Sequence, residues 1–250
     1  MINSPLEYEK MANVEKSLWW YRNLHELVNE RIENHFQSKS LNIIDAGCGT
    51  GGLSIFLKDK GYENIQGFDL SKDAIAHCKK MNLDCFEEDL RNIHLHYKSN
   101  SADVIISNDV LYFFSEKENI DILNKIYKIL KPGGIFIANL PALDCFKGSH
   151  DILVGNQNNR FSKDKVYSIL DQSSFSKVDF KYWPFLLSPL IYIIRLKQRI
   201  ELKLRPDKPL NSDIDLPTNF INNLLYRIVK LERLLGLSFF GSSLLTIFKK

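Results

Sequence analysis

Hydrophobic residues in the first 40 positions recur with the period of a helix. They lie three or four residues apart and form one apolar stripe, made of Leu24, Leu27, Val28, Ile32 and Phe36. We therefore predict helical structure over residues 7–36, with a break near Lys16 and Ser17.

Between residues 41 and 140 the pattern changes to short apolar runs that alternate with amphipathic segments. The runs predict buried strands at 41–46, 64–69, 83–86, 102–107 and 135–140. The segments between them predict helices at 53–60, closed by Gly61, at 71–80, capped by Ser71, and at 115–130, stopped by residues 131–134. This alternation is typical of a doubly wound parallel sheet, in which ligands bind at the carboxyl ends of the strands.

The last third of the chain has a looser pattern. It predicts a polar loop at 144–159, a helix at 162–171, a strand at 176–183, an apolar segment at 183–194, a polar stretch at 205–217, a helix at 218–235 and a strand at 243–248. We expect an α/β fold: a doubly wound, Rossmann-like, mostly parallel seven-stranded sheet with an N-terminal helical lid and a C-terminal helical insertion.

Composition narrows the class of protein only slightly. A chain of 250 residues, 44% hydrophobic and 25% charged, is an ordinary globular chain, and its net charge of +3 gives no argument for a nucleic-acid partner. The amino terminus lacks the features of a signal peptide, so we expect a cytoplasmic location. The four cysteines form no C-x-x-C pair, which predicts buried thiols in a reducing compartment and no metal site.

A glycine-rich loop follows the first predicted strand. Read through Gly47, Gly49 and Gly52, it has the G-x-G-x-x-G spacing with which helix N-termini bind nucleotides, and this spacing also fits dinucleotides. Asp45 precedes the loop; a carboxylate there suits a ligand with an ammonium or sulfonium cation and would repel a pyrophosphate.

Carboxylates also end the next two strands. Asp69 follows the second strand and can accept hydrogen bonds from ribose hydroxyls, which supports a nucleoside ligand without choosing between cofactors. Asp89 follows the third strand, where it can accept from an adenine amine, although a solvated turn would account for it as well.

Taken in order, the segments DAGCGTGG, FDLS, EEDL, SNDVLYFF and LKPGGIFIANLP resemble the motifs of class I S-adenosylmethionine-dependent methyltransferases. The opening YEKMANVEKSLWWYRN is similar to that of a bacterial, type-11-like subgroup; His150-Asp151, Arg160-Phe161-Ser162 and Gly241-Ser242-Ser243-Leu244-Leu245 are similar more loosely. The resemblance implies S-adenosylmethionine as cofactor and one methyltransferase domain over 1–250: a helical cap (1–38), a cofactor-binding core (41–140) and an acceptor-side region (141–250) with a helical insertion at about 184–236.

The resemblance also implies which residues hold the cofactor. The glycine loop would wrap its methionine part, Asp69 its ribose, and Asn108 would lie near the transferred methyl group. The full implied set is Asp45, Ala46, Gly47, Cys48, Gly49, Gly51, Asp69, Leu70, Asp89, Leu90, Asn108 and Leu111.

Methyl transfer needs a base only when the acceptor is protonated at neutral pH. Many relatives carry Glu-His after the fourth strand, but Phe113 stands at the histidine position here. The remaining candidates are His150 and Asp151 in the loop after the fifth strand, and Tyr21 and His25 in the N-terminal helix. We predict His150 and Tyr21 as catalytic, because histidine titrates near neutrality and loops after strands face the site. Trp19, Trp20 and Tyr21 would form a lid over the cofactor pocket or pack against the edge of the sheet.

The sequence does not identify the methyl acceptor. Apolar and aromatic residues after the fifth strand favour a small hydrophobic molecule, a lipid-linked sugar or a modified peptide, and disfavour nucleic acid. The segment 183–205 is apolar and then basic. It would pack on the core or on a dimer partner, cover the acceptor with an apolar surface, or contact a membrane surface. A monomer and a homodimer both stay open, as do two other functions: a nicotinamide-dependent oxidoreductase and a non-catalytic cofactor-binding scaffold.

Overall fold

The computed structural model describes residues 5–153, 159–205 and 214–250. Its N-terminal part consists of α1 (Pro5–Val14) and α2 (Trp19–His35), with the predicted break between them. The apolar stripe of α2 is buried: Leu27, Val28 and Ile32 are fully enclosed. This helix packs on α10 (Asn219–Leu234), and Asn222 accepts a hydrogen bond from the Trp19 amide at its start.

Seven strands form one sheet. They are β1 (Ile43–Ala46), β2 (Ile65–Asp69), β3 (Cys85–Glu87), β4 (Ala102–Asn108), β5 (Leu130–Pro141), β6 (Lys177–Trp183) and β7 (Ser243–Lys249). Their order across the sheet is β3-β2-β1-β4-β5-β7-β6. β7 runs in the opposite direction to the other six strands, which are parallel to one another. The expected mostly parallel, Rossmann-like sheet is confirmed.

Helices cover both faces of this sheet. The remaining ones are α3 (Gly52–Asp59), α4 (Lys72–Lys80), α5 (Ile93–His96), α6 (Glu116–Ile129), α7 (Ser149–Leu153), α8 (Lys163–Asp171) and α9 (Ser188–Leu204). Alternate residues of a strand serve opposite faces: Ile105 joins a core with α6 and α8, whereas Val104 and Ile106 join one with α2 and α3.

Two predicted boundaries were wrong. Residues 131–134 do not stop α6, which already ends at Ile129; Leu130 is extended and pairs with Ala102, so 130–134 belong to β5. The predicted polar loop at 144–159 contains a short 3₁₀ turn, Asp144–Phe146, and the helix α7, while residues 154–158 lie outside the described part. Phe146 is fully buried, and its burial holds this segment against the protein.

Candidate functional site

A cavity of about 680 Å³ lies along the edge of the sheet where the parallel strands end. Following that edge across the sheet, its walls include Asp89 after β3, Asp69 at the end of β2, the glycine loop after β1, Asn108 at the end of β4 and Pro141 at the end of β5. Ser243, at the start of the antiparallel β7, completes the row. The N-terminal helices form the facing wall.

The cavity brings together most of the residues assigned to the cofactor. The lining includes Asp45, Gly47, Cys48, Gly49, Asp69, Leu70, Asp89, Leu90 and Asn108. Ala46, Gly51 and Leu111 lie behind this lining: Ala46 and Leu111 are buried in the core, and Gly51 is the residue before α3. These three residues can support the site but do not form its surface.

The glycine loop needs its glycines for two separate reasons. Gly47 and Gly51 have φ values of +82° and +87°, which side chains rarely adopt. A Cβ on Gly47 would also lie 2.4 Å from Cγ2 of Val110, and one on Gly51 would lie 2.3 Å from Cδ1 of Leu83. The loop therefore packs closely against Val110 after β4 on one side and against Leu83 before β3 on the other.

Asp69 anchors this loop from the neighbouring strand. Its Oδ2 accepts a hydrogen bond from the Gly49 amide at 3.0 Å, and its Oδ1 accepts from the Ser71 amide at 2.9 Å. Burial raises the pKa of the Asp69 carboxyl. Each oxygen keeps a lone pair that can accept a further bond from a ligand in the cavity.

Asp89 is differently engaged. Arg91 donates to both of its carboxylate oxygens, at 2.6 Å from Nη2 and 3.0 Å from Nε, and its backbone amide donates as well. The Arg91 guanidinium lowers the pKa of Asp89. An adenine amine would share this carboxylate with Arg91.

Two buried carboxylates flank the glycine loop, and only Asp45 was predicted. Ser54 donates to Asp45 at 2.9 Å, and Thr50 donates to Glu15, which lies in the break between α1 and α2. Burial raises the pKa of each to about 7. The sequence gives no motif for Glu15; the fold alone carries it to the start of α3.

Asp109 is the main cavity-lining carboxylate that the sequence analysis did not single out. It follows Asn108, has a left-handed φ of +55°, and lines the cavity. The Asn139 amide donates to both carboxylate oxygens, at 3.2 and 3.0 Å, and Asn139 in turn accepts from the Trp183 indole at 2.9 Å. Burial raises the pKa of Asp109 to about 7. Its place just after a predicted strand, like that of Asp89, is the sequence signal that could have identified it.

The aromatic segment of α2 both lines the cavity and packs on the sheet. Trp19, Trp20 and Tyr21 all line the cavity, and Trp20 also stacks on Trp183 with ring centroids 5.4 Å apart. Burial raises the pKa of Tyr21 well above its usual value, so it remains a neutral hydroxyl. Burial lowers the pKa of His25 to about 3, which makes it a poor proton acceptor at neutral pH.

The far end of the cavity contains a buried ion pair. Arg160 donates from Nε to Asp151 at 2.9 Å and from Nη1 to the Ala142 carbonyl at 2.7 Å, while the Gly148 amide also donates to Asp151. Both side chains are more than nine-tenths buried. His150 is the residue before Asp151; its backbone lies in α7, but its side chain is outside the described part of the structure.

These groups give the cavity its chemical character. Asp45, Asp69, Asp109 and Glu15 place four carboxyl groups along it, and they suit a cationic ligand. Oδ1 of Asn108 is buried without a hydrogen-bond partner in the described structure, so it can accept from a ligand N–H or O–H. Such acceptors and charges fit a ligand with a sulfonium, an ammonium and ribose hydroxyls.

Comparison with known proteins gives a consistent result. Residues 37–174 match the family described as methyltransferase domain. A carboxy-S-adenosyl-L-methionine synthase from Vibrio campbellii is 27% identical over 172 residues, which cover 64% of this chain and 67% of that protein. A malonyl-[acyl-carrier protein] O-methyltransferase from Priestia megaterium is 32% identical over 139 residues, covering 53% and 46%.

Solved structures share the fold at lower sequence identity. A SAM-dependent methyltransferase from Archaeoglobus fulgidus superposes with a TM-score of 0.57 at 17% identity, over 90% of this chain and 94% of that one. A phosphoethanolamine N-methyltransferase 2 from Haemonchus contortus, in complex with S-adenosyl-L-methionine, gives 0.56 at 16% identity, over 92% and 52%.

Proposed function

We propose, from the premise that this chain belongs to the class I S-adenosylmethionine-dependent methyltransferases, that it methylates an oxygen or nitrogen nucleophile of a small apolar molecule. As a member of this family the chain is an enzyme, and S-adenosylmethionine is its cofactor. Membership argues against the nicotinamide-dependent alternative. The observation that carries the proposal is Asp109, a carboxylate on the cavity wall with aromatic rings nearby.

The residues that would hold the cofactor line the part of the cavity at the carboxyl ends of β1, β2 and β3. When bound, S-adenosylmethionine supplies an electrophilic methyl group on a sulfonium. Asp69 would accept from the ribose hydroxyls, and Asp45 and the free Oδ1 of Asn108 would face the cationic methionine part. A nearby cation makes the ionised forms of Asp45 and Asp69 more favourable. Cofactor binding near pH 7 should therefore release protons from these carboxyl groups.

Asp109 would act on the acceptor. A carboxyl with a pKa near 7 can take the proton of a hydroxyl or an ammonium as the nucleophile attacks. Tyr21, a neutral hydroxyl, would donate a hydrogen bond that orients the acceptor, and His150 remains a second candidate base. The α2 aromatics would exclude water and hold the acceptor behind the methyl group, and positioning of this kind supplies about 7–11 kcal/mol of rate enhancement.

The proposed reaction can be tested without knowing the acceptor. Cell extract is incubated with isotopically labelled S-adenosylmethionine, with and without the purified protein, and labelled products are identified by mass spectrometry. We expect a labelled apolar product carrying a new O- or N-methyl group. A labelled nucleic acid, or a product methylated on carbon, would contradict the proposed acceptor.

Asp69 should contribute to cofactor binding, because hydrogen bonds to a charged group contribute about 1.5–3 kcal/mol. We expect Asp69→Ala to weaken binding of S-adenosylhomocysteine by about 10–150-fold, measured by calorimetry. Asp73→Ala removes an exposed aspartate four residues away and should leave affinity unchanged. Equal affinities in wild type and Asp69→Ala would remove Asp69 from the binding site.

We also propose that the acceptor reaches the cavity from a lipid surface, through α9. Ile191 and Arg195 of this helix line the cavity, while Leu190, Ile193 and Ile200 are exposed on its outer side. The same helix carries exposed basic residues at Lys197 and Lys203, and exposed Arg205 comes directly after it. No helix among the described residues combines the length and hydropathy needed to cross a bilayer. An apolar face flanked by basic residues suits an anionic headgroup region.

Vesicle flotation tests this surface. We expect the protein to float with vesicles that contain phosphatidylglycerol and to bind less to phosphatidylcholine alone. The double variant Ile193→Glu/Ile200→Glu should bind at least about 100-fold less, since burying each isoleucine contributes about 1.5–3 kcal/mol. Leu95→Glu changes an exposed leucine of α5 and serves as the matched control. Wild-type protein that stays in the soluble fraction would contradict the proposed membrane contact.

A further inference from the structure

Three cysteines that are far apart in the sequence meet beside the glycine loop. Cys48 lies in the loop, Cys78 in α4 and Cys85 at the start of β3, and all three are buried. The Sγ atom of Cys48 lies 4.0 Å from that of Cys78 and 3.9 Å from that of Cys85, and the three sulfurs lie within 4.8 Å of one another. The spacing of cysteines along the chain gave no sign of this cluster.

The surrounding backbone makes room for the sulfurs. A Cβ on Gly67 of β2 would lie 2.8 Å from Sγ of Cys85 and 3.1 Å from Sγ of Cys48, so only glycine leaves this space open. The Gly49 carbonyl oxygen accepts from Cys78 Sγ at 3.3 Å. Ile75 and Leu83 enclose the rest. Three sulfurs and one carbonyl oxygen therefore lie together in one buried cluster.

The distances of 4.0 and 3.9 Å from Sγ of Cys48 match the sulfur–sulfur spacing around a metal ion. Zinc–sulfur bonds are about 2.3 Å long, so three sulfurs around one ion lie about 3.8–4.0 Å apart. Asp45 and Asp69 lie near the cluster, and their negative charge favours a cation. Cys48 also lines the cavity, which provides a route of entry.

We propose that Cys48, Cys78 and Cys85 form a binding site for one soft d¹⁰ metal ion such as Zn²⁺, with the Gly49 carbonyl as a fourth ligand. Three metal–sulfur bonds form, the thiol protons leave to solvent, and no electron is transferred. The bound ion would tie the glycine loop to α4 and β3. Metal binding here requires neither cofactor nor acceptor, so it can be tested separately from the proposed methyl transfer.

The test uses the purified, reduced, metal-free full chain and Cd²⁺ as a spectroscopic probe. We expect one equivalent of Cd²⁺ to produce sulfur-to-cadmium charge-transfer absorption. Cys78→Ala and Cys85→Ala should each weaken binding by about tenfold or more, since even lost supporting contacts cost about 10–100-fold. Cys145→Ala, which changes the cysteine outside the cluster, should bind like wild type. Equal binding by all four proteins would overturn the proposal.

A second measurement does not depend on whether the variants fold. X-ray absorption spectra of zinc bound to the wild-type chain should show about three sulfur neighbours at about 2.3 Å. Zinc should also raise the melting temperature, because an ion that binds only the folded state stabilises it by mass action. A coordination shell made of nitrogen and oxygen alone would overturn the proposal.

Discussion

Replacing Asp109 with asparagine is expected to lower turnover by about 10²–10⁴-fold, the usual contribution of a general base. Asparagine suits this position, because it tolerates the left-handed backbone and keeps one oxygen for the Asn139 amide. Cofactor affinity should change much less than turnover. The measurement is a single-turnover rate with the acceptor identified by isotope labelling.

The pH dependence gives an independent test of the same role. The carboxylate must be ionised to accept a proton, and the pKa of Asp109 is raised to about 7. The wild-type rate should therefore rise with pH up to about 7 and level off above it, whereas the rate of Asp109→Asn should lack this rise. Titration of this group in the unliganded enzyme would appear in kcat/KM.

Two control variants distinguish Asp109 from an ordinary surface carboxylate and from a different base. Asp144→Asn removes an exposed carboxylate that pairs with Lys147, and it should leave the rate unchanged. His150→Ala tests the base predicted from the sequence. If His150→Ala abolished the rise with pH while Asp109→Asn kept it, His150 would be the base and the role proposed for Asp109 would be wrong.

Arg160→Met is expected to destabilise the protein by about 3–5 kcal/mol, because it leaves the buried Asp151 carboxylate without its partner. The substitution also removes the donor to the Ala142 carbonyl and the longer bond, 3.3 Å, to the Ser242 carbonyl. Arg160 thus joins the chain after β5 to the chain before β7. The free energy of unfolding in urea measures the loss.

The paired variant Arg160→Met/Asp151→Leu shows whether an unpaired charge causes that loss. Removing both charges of a buried pair often costs little, so the double variant should recover much of the stability lost in Arg160→Met. A loss below about 1 kcal/mol in Arg160→Met would mean that solvent reaches the pair and that the described burial is wrong.

The part of the cavity formed by the glycine loop and Asp69 could be predicted because its signals are local. The glycine loop and Asp69 follow buried apolar strands, and a parallel sheet brings strand ends to one edge. The cap at Ser71 was equally local, and the structure confirms it: the Ser71 side chain accepts a hydrogen bond from the Ala74 amide. In each case the interacting residues either are close in sequence or occupy equivalent positions at the ends of neighbouring strands.

The rest of the site depends on contacts between distant segments. Glu15 reaches Thr50 across 35 residues, and Asp109 is held by Asn139, which is held by Trp183. The cysteine cluster likewise draws on a loop, a helix and a strand. Such pairings follow from how the elements pack, and no spacing along the chain predicts them.

The position of β7 in the sheet has a consequence for how the protein is made. This strand is the last element of the described chain, yet it pairs with both β5 and β6 and separates them. During synthesis β5 leaves the ribosome about a hundred residues earlier and must wait with an unpaired, apolar edge. Ribosome-bound chains that end before residue 243 should therefore depend on chaperones to avoid aggregation, and release from that dependence should coincide with the emergence of β7.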